Sequence, residues 1–295
     1  MNAAELYQCF QVCMTYKRAT SWRKPFLAPG RFVRNQLRKN LLRKPAGTVQ
    51  TTDAFHLPGF TIVSGEAVSS EIISYGTYED GLTEAFLRLV QPDQLVVDIG
   101  MHLGYFTTLF AQLVGPEGQV HSFEPTPSTC KLASANVNQF PNVTVHPLAV
   151  WSSRQMLTFH DYGLQWMGYN SFTKARLNAA GEGVPFQVET ITLDSFRQRL
   201  NRPIALVKID AELAERDILV GAVKLLASDR PIISLEVGDE GSTECRSREL
   251  IEMIQKMDYR VWEFQNGRFV VHSLRSSYTY DNLIFAPTTQ DLSST

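Results

Sequence analysis

The sequence predicts an α/β fold with a doubly wound, mostly parallel sheet, preceded by a basic helical arm. From about residue 95 onward, short apolar strands alternate with helical segments, which is the spacing of a parallel sheet with helices on both faces. The turn after the first of these strands holds two glycines, and the next strand ends in a carboxylate. Doubly wound sheets hold a nucleoside at such a turn.

Composition indicates one large domain plus an appendage, or two small domains. The chain has 295 residues and a net charge of −2, with 44% apolar and 11% aromatic residues. Its first 50 residues carry a net charge of +9, because they contain ten Lys or Arg residues and only one acidic residue, Glu5. This asymmetry predicts an attached basic arm at 1–53 and a separate folded domain at 54–295.

The arm allows three interpretations. Between residues 31 and 44, Val33, Leu37 and Leu41 recur every four residues, while basic side chains occupy the other faces of the predicted helix. The helix could dock on its own domain, or lie on a membrane surface with anionic lipid as a peripheral contact. Nucleic acid is disfavoured as a partner because the pattern lacks interleaved aromatic residues.

The four cysteines, at positions 9, 13, 130 and 245, lack the spacing of a metal site or a disulfide framework. No apolar run approaches the length of a membrane span, and the N-terminus lacks the order of charges found in signal peptides. We therefore expect a cytoplasmic protein with reduced thiols.

The predicted elements follow in chain order. Short strands at 60–63 and 71–75 and a helix at 81–90 precede the core. Core strands are predicted at 95–99, 120–123, 143–150, 205–209 and 232–237, and helices at 105–113, 128–139, 193–200, 216–227 and 247–257. Ser128 is the expected N-cap of its helix. Residues 151–190 form a β-rich insertion in which 156–160 pairs with 184–191, and strands at 259–264, 268–272 and 282–285 close the sheet.

The first turn favours S-adenosylmethionine (SAM) over a dinucleotide. Asp98, Gly100 and Gly104 give the pattern D-x-G-x-x-x-G, whereas pyrophosphate turns use G-x-G-x-x-G. A pyrophosphate needs free backbone N–H groups, which a sulfonium nucleoside does not. Glu124 lies at the end of the next strand, where a carboxylate can accept both ribose hydroxyls. A nicotinamide-dependent dehydrogenase is therefore the disfavoured alternative.

Several motifs together resemble the FkbM family of SAM-dependent methyltransferases. They are the segment from Asp98 to Thr107, Phe123-Glu124-Pro125, Asn142-Val143 through Ala149-Val150, Thr190 to Asp194, Val207 to Glu215, and Leu235-Glu236. Tyr78-Glu79 matches as well. The resemblance spans roughly 60–287 and excludes the arm.

The resemblance implies a Rossmann-like class I methyltransferase fold, with a seven-stranded, mostly parallel sheet and a C-terminal antiparallel hairpin. It also implies O-methylation of a hydroxyl on a sugar, glycolipid or polyketide-type acceptor. The residues expected to bind SAM are Glu79, Asp98, Gly100, His102, Gly104, Glu124, Ala149 and Val150. Among them, Glu79 is assigned to the ammonium group of SAM, and Ala149 and Val150 to the adenine edge.

Asp210 and Glu212 are the expected catalytic residues, with Asp210 as the base or the group that orients the acceptor. Together with Glu236 they place carboxylates at one rim, so a divalent metal is conceivable but not favoured. An alternative for Glu212 and Glu215 is that they are solvated acids at a helix start.

Two departures from the family pattern bear on activity. Met101-His102 replaces Ala-Asn in the first turn, and Leu213 replaces a Gly after the fourth strand. Because a Leu is strained at positive φ, we expect a right-handed or remodelled backbone at Leu213. The change keeps open a second hypothesis, a catalytically degenerate SAM-binding or scaffold protein.

Overall fold

The computed structural model describes residues 1–40, 44–172, 181–211, 213–239 and 246–295. Its helices are α1 (Ala3–Arg18), α2 (Lys24–Leu27), α3 (Pro29–Asn40), α4 (Ala67–Tyr75), α5 (Asp80–Leu89), α6 (Tyr105–Val114), α7 (Pro127–Val137), α8 (Leu193–Arg197), α9 (Glu215–Val220), α10 (Val223–Ser228) and α11 (Arg246–Gln255). Its strands are β1 (Val49–Thr52), β2 (Phe60–Val63), β3 (Leu95–Ile99), β4 (Gln119–Phe123), β5 (Val143–His146), β6 (Ala149–Val150), β7 (Met156–Asp161), β8 (Val184–Ile191), β9 (Leu206–Ile209), β10 (Ile232–Val237), β11 (Tyr259–Gln265), β12 (Arg268–Val271) and β13 (Asp281–Pro287).

The main sheet confirms the predicted fold class. Its strand order is β12-β11-β13-β10-β9-β3-β4-β5, and β10, β9, β3, β4 and β5 run parallel. Strand β13 is inserted antiparallel between β10 and β11. The sheet has eight strands rather than seven, because β12 pairs with β11 through a tight turn in which Asn266 and Gly267 both have positive φ.

The order of strands reverses at β3, which has β4 on one side and β9 on the other. Helices that leave β3 in one direction and β9 in the other open a crevice at the carboxyl ends of these two strands. The residues that follow β3 and β9 are therefore placed around one crevice. Alternate side chains of β3 enter different apolar clusters, with Val96 packing in one and Val97 in the other.

Two predicted strands are wrong. Residues 71–75 belong to helix α4, which Glu66 caps by accepting the N–H groups of Val68 and Ser69, and which ends at Gly76 with φ +79°. The predicted strand at 143–150 divides at Pro147, since proline cannot donate to a sheet. Its first half stays in the main sheet as β5, and its second half becomes β6 in a separate sheet with β8 and β7.

Smaller corrections concern the helices. The predicted helix at 216–227 is interrupted near Gly221, where a Cβ would lie 2.3 Å from the carbonyl oxygen of Trp151. Ser128 is not an N-cap, because α7 begins at Pro127 and the Ser128 hydroxyl donates to Asp161 instead. The antiparallel pairing of β7 with β8 in the insertion is confirmed.

The arm docks on the body through two helices of different character. Leu6 and Phe10 of α1 are fully buried in the larger apolar cluster, and Lys17 forms ion pairs with Glu71 and Asp80. Helix α3 instead attaches through polar side chains. Across the described ranges, no helix has the length and apolar character needed to cross a bilayer.

Candidate functional site

The turn after β3 lies directly against the end of β9. Gly100 has a φ of +80°, and a Cβ built there would be 1.7 Å from the carbonyl oxygen of Asp210. Gly104 has a φ of +83° and begins α6, with space for a Cβ limited by Val137 at 3.0 Å. The two predicted turn glycines are therefore required by backbone conformation, and Gly100 also by the closeness of another strand.

Four N–H groups of this turn, those of Gly100, Met101, His102 and Gly104, are used within the protein. Gly100 and Met101 donate to the carbonyl of Phe123 at 3.1 and 3.0 Å. The N–H of His102 donates to Glu124 Oε2 at 3.1 Å, and that of Gly104 donates to the carbonyl of Met101. A pyrophosphate site needs such N–H groups free. The turn geometry therefore argues against a dinucleotide.

Glu124 is held rigidly at the end of β4. Its side chain accepts the N–H of Thr126 at 2.9 Å in addition to that of His102, and the residue is only 7% exposed. Burial raises the pKa of Glu124 to about 7. Because each carboxylate oxygen has two lone pairs, both oxygens can still accept a hydroxyl group.

A buried ion cluster joins β3 to β9. Asp98 is fully buried and accepts the hydroxyl of Thr107 at 2.6 Å. The ammonium group of Lys208 lies 3.7 Å from Asp98 Oδ1 and 3.0 Å from Asp210 Oδ2. Burial alone would lower the pKa of Lys208, but the two carboxylates outweigh it and raise that pKa. Asp98 thus ties the end of β3 to the start of α6 through Thr107, and Lys208 fixes the position of the Asp210 carboxylate.

Glu79 places a carboxylate beside Asp210. It precedes α5 with a φ of 42°, and its Oε1 accepts from Asn282 of β13 at 2.8 Å. Its Oε2 is buried and has no hydrogen-bond partner among the described residues. Burial, followed by the negative charge of Asp210, raises the pKa of Glu79 to about 7. A cationic group would satisfy this oxygen.

The remaining predicted cofactor residues are His102, which is partly buried, and Ala149 and Val150, which are buried. His102 has a φ of 53°, and its ring lies 4.0 Å from the carboxylate of Glu66. Burial lowers the pKa of the His102 ring. Ala149 and Val150 are 4% and 2% exposed, and both pack into apolar clusters.

The loop after β9 keeps the left-handed conformation that a glycine would favour. Leu213 has a φ of +78°, so the expectation of a right-handed or remodelled backbone is wrong. The N–H groups of Ala211 and Leu213 both donate to Glu215 Oε1, at 3.3 and 3.2 Å, which stabilises this conformation. Glu215 is only 8% exposed, so the hypothesis that it is a solvated acid is also wrong. Glu212 lies outside the described residues.

We expect Leu213→Gly to stabilise the protein. A side chain in the left-handed region costs about 1–2 kcal/mol, and glycine removes this cost. The greater conformational freedom of glycine in the unfolded chain offsets part of the benefit, so the free energy of unfolding should rise by roughly 0.5–1 kcal/mol. Urea unfolding of both chains measures the difference. Leu213→Ala is the control, because it keeps the Cβ and should give no gain. An equal gain for both variants would contradict backbone strain at this position.

The other carboxylate of the rim is Glu236, at the end of β10. Register places Leu235 beside Ile209, so Glu236 and Asp210 follow neighbouring positions of adjacent strands. The hydroxyl of Tyr280 hydrogen-bonds to Glu236. Within the described ranges, no three His, Cys, Asp or Glu side chains are grouped as metal ligands.

A cleft of about 300 Å³ lies between the start of α5 and the β11 and β13 strands. Glu79, Glu263, Tyr280 and Asn282 are among the residues that line it. Glu79 therefore belongs both to this cleft and to the carboxylates near Asp210.

Sequence reasoning missed two residues of this site, Lys208 and Asn282. Lys208 could have been identified from the sequence, because it is a charged residue within an otherwise apolar strand. Asn282 could not, because its contact with Glu79 joins positions 203 residues apart.

Comparison with known proteins identifies the family of this chain. A family model described as the methyltransferase FkbM domain matches residues 98–261, more than half of the chain. The chain belongs to the FkbM methyltransferase family. The match includes the Gly100 turn, Glu124 and the Lys208 cluster, and it confirms the resemblance inferred from the motifs.

Individual relatives are distant. The chain is 26% identical over 254 residues to the AMB antimetabolite synthetase AmbE of Pseudomonas aeruginosa, covering 72% of this chain and 11% of AmbE. The chain thus spans about a tenth of the length of this curated relative.

Similar solved structures include a methyltransferase FkbM from Methylobacillus flagellatus, at 11% identity and a TM-score of 0.42, covering 96% of this chain and 60% of that one. Another is Aeropyrum pernix fibrillarin with bound S-adenosyl-L-methionine, at 11% identity and a TM-score of 0.43, covering 82% of this chain and 99% of that one.

Proposed function

We propose that this methyltransferase uses SAM to methylate a hydroxyl oxygen of a sugar, glycolipid or polyketide-type acceptor. The observation that carries the proposal is the arrangement of Glu79, Glu124 and Asp210 around a turn in which the N–H groups of Gly100, Met101, His102 and Gly104 are already paired. Carboxylates without a free row of N–H groups suit a cationic nucleoside rather than a phosphorylated one.

The residues present fit SAM, which has a sulfonium, an ammonium group and a ribose diol. Glu124 accepts the two ribose hydroxyls, and the unpartnered Oε2 of Glu79 accepts the ammonium group. Asp98, Gly100 and Gly104 shape the turn on which the methionine portion rests, and His102 borders it. Ala149 and Val150 are assigned to the adenine edge. When bound, SAM supplies a methyl group that is already activated for transfer.

The chain's own contribution is to align the acceptor and to receive its proton. Asp210 is our choice for the group that accepts the hydroxyl proton, with Glu212 as the second choice. Lys208 donates to Asp210 Oδ2, so the other oxygen of Asp210 remains for the acceptor. The cleft lined by Glu79 is our choice for the acceptor, because Glu79 is close enough to Asp210 for the charge of Asp210 to raise its pKa. We assign no metal to the reaction.

We expect S-adenosylhomocysteine, the product of the reaction, to bind the wild-type chain, and Glu124→Ala to weaken that binding about 100-fold. Loss of a charged acceptor for two hydroxyls costs on the order of 2–3 kcal/mol. Calorimetric titration measures both affinities. Glu215→Gln is the matched control, because Glu215 is also buried and also has a pKa of about 7, yet it serves only the loop after β9.

Each outcome of this titration is informative. Binding that is lost in Glu124→Ala but kept in Glu215→Gln supports the cofactor assignment, and an assay against hydroxylated acceptors then follows. Absence of binding by the wild type would contradict the proposal and favour a scaffold protein of the same fold.

The affinity of the chain for S-adenosylhomocysteine should also rise with pH. Because the pKa of Glu124 is about 7 and only the ionised carboxylate accepts two hydroxyls, affinity should increase about tenfold between pH 6 and pH 8. The folded chain holds this proton more tightly than the unfolded chain does, so Glu124 lowers the free energy of unfolding as pH rises from 4.5 towards 7. Thermal unfolding at each pH therefore accompanies the titration. A flat affinity profile would contradict ribose binding by Glu124.

A further inference from the structure

The arm exposes an apolar strip that points away from the body. The exposed fractions are 71% for Trp22, 82% for Phe26, 42% for Leu27, 53% for Val33 and 43% for Leu37. We call these five residues the apolar strip. Phe26 and Leu27 lie in α2, and Val33 and Leu37 lie four residues apart on one face of α3. Trp22 and Phe26 are the most exposed, so the strip extends beyond the helix at 31–44 that the sequence singled out.

The orientation of α3 explains why this strip is not covered. Its polar side chains face the body, where Arg34 pairs with Asp53 at 2.7 Å and the Asn35 amide donates to the carbonyl of Ser74 at 3.0 Å. Arg31 packs against Gly76, at which a Cβ would lie 2.3 Å from the guanidinium. Val33 and Leu37 are consequently turned outward. On α3 the polar side chains make these contacts with the body while Val33 and Leu37 are exposed, which is the reverse of an ordinary surface helix.

Between residues 6 and 52, the charged residues of the arm itself are all of one sign. No acidic residue occurs between Glu5 and Asp53, while this stretch contains ten Lys and Arg residues. Arg18 and Arg23 are exposed, and the Arg23 guanidinium lies 5.8 Å from the centre of the Trp22 ring. Apolar and aromatic side chains bordered by basic ones complement a surface that has negative charge outside and hydrocarbon beneath.

Other occupants fit this surface less well. A second copy of the chain would bring the same positive charge against itself. A nucleic acid would satisfy the basic side chains but would leave Leu27, Val33 and Leu37 without an apolar partner. An anionic bilayer would satisfy both the basic side chains and the apolar strip. Tryptophan favours the level of the headgroups, which suits Trp22, and phenylalanine can enter the upper acyl region, which suits Phe26.

We propose that the apolar strip and its basic border dock this protein on the surface of an anionic lipid bilayer. Binding is peripheral, with Trp22 and Phe26 inserted and Arg18 and Arg23 at the headgroups. The inference is independent of the proposed reaction, because it requires neither SAM nor an acceptor.

Sedimentation of the full chain with vesicles tests the proposal. We expect binding to vesicles of phosphatidylcholine with phosphatidylserine, and weaker binding to phosphatidylcholine alone or at high salt. The double variant Trp22→Ser/Phe26→Ser should bind at least about tenfold more weakly. The matched control is Val184→Ser/Val271→Ser, which removes two other apolar side chains that are 70% and 58% exposed. This control should bind as the wild type does.

The contradicting outcomes are equally clear. Equal binding by the wild type and the Trp22/Phe26 variant, or no binding to the anionic vesicles, would overturn the proposal. Dimerisation that the same variant abolishes, without vesicle binding, would assign the strip to a second copy instead. Binding of single-stranded RNA in place of vesicles would assign the basic border to nucleic acid. Circular dichroism, together with titration by S-adenosylhomocysteine, checks that the variants fold. We expect them to fold because the substituted positions are exposed.

Discussion

We expect Gly100→Ala to destabilise the methyltransferase domain by more than about 4 kcal/mol. The new Cβ would lie 1.7 Å from the carbonyl oxygen of Asp210 and 2.9 Å from its carbonyl carbon. Both contacts involve backbone at the centre of the main sheet, where β3 and β9 pair directly, so neither side can move without breaking the ladder. The left-handed φ of +80° adds strain. Together these costs exceed about 4 kcal/mol, a large part of the 5–15 kcal/mol that stabilises a typical domain.

Gly104→Ala is the control for this prediction. Gly104 has nearly the same φ, but its Cβ would meet the methyl group of Val137 at 3.0 Å rather than backbone. A side chain can shift by a few tenths of an ångström, so we expect a loss of only about 1–2 kcal/mol. Urea unfolding followed by circular dichroism compares the two variants. Equal losses would show that φ alone, and not the contact between β3 and β9, makes Gly100 necessary.

Local patterns predicted the part of the site that one βαβ unit contains. Asp98, Gly100, Gly104 and Glu124 lie within 27 residues of each other, and the strand, turn and helix signals between them are all local. The structure places them around one crevice because the carboxyl ends of parallel strands meet at the same edge of a sheet. The closing strands were also predictable, since the turn at Asn266 and Gly267 is a strong hairpin signal.

Contacts between distant segments could not be predicted in the same way. The hydrogen bond from Asn282 to Glu79 depends on how β13 enters the sheet, and no local pattern records it. The outward orientation of Val33 and Leu37 depends on which partners Arg34 and Asn35 find on the body. At Leu213 the rule that residues other than glycine avoid positive φ predicted the wrong backbone conformation. Glu215 accepts the loop N–H groups and so stabilises the strained left-handed conformation.

The conformation at Leu213 also bears on whether the protein is active. The substitution of the family's glycine made a remodelled loop, and hence a degenerate protein, a reasonable hypothesis. Instead, the left-handed backbone is retained, and the loop N–H groups remain bound to Glu215. The departure therefore costs stability without removing Asp210 from the crevice, which is consistent with the proposed methyl transfer.

Lys208→Met should be the most damaging substitution that leaves the backbone unchanged. Lys208 is 2% exposed and is the cation between Asp98, which is fully buried, and Asp210. Removing one partner of a buried ion pair leaves an uncompensated charge, and the cost is about 3–5 kcal/mol. Methionine keeps most of the volume of the side chain and removes only the charge, including the contact of the ammonium group with the Phe106 ring, so the loss reports charge rather than packing. Urea unfolding at pH 8 measures it.

The double variant Lys208→Met/Asp98→Asn separates charge from any other cause. If the cost of Lys208→Met arises from the unpaired charge of Asp98, neutralising that charge should recover more than about 2 kcal/mol, so the two substitutions would be strongly non-additive. Additive losses would contradict this and would mean that Lys208 acts mainly by packing. The same cycle made with Asp210→Asn should recover less, because Asp210 is 24% exposed in its side chain and water already solvates part of its charge. A larger recovery through Asp98 than through Asp210 would show that the main structural role of Lys208 is to neutralise Asp98 beneath the Gly100 turn, which is compatible with the role proposed for Asp210.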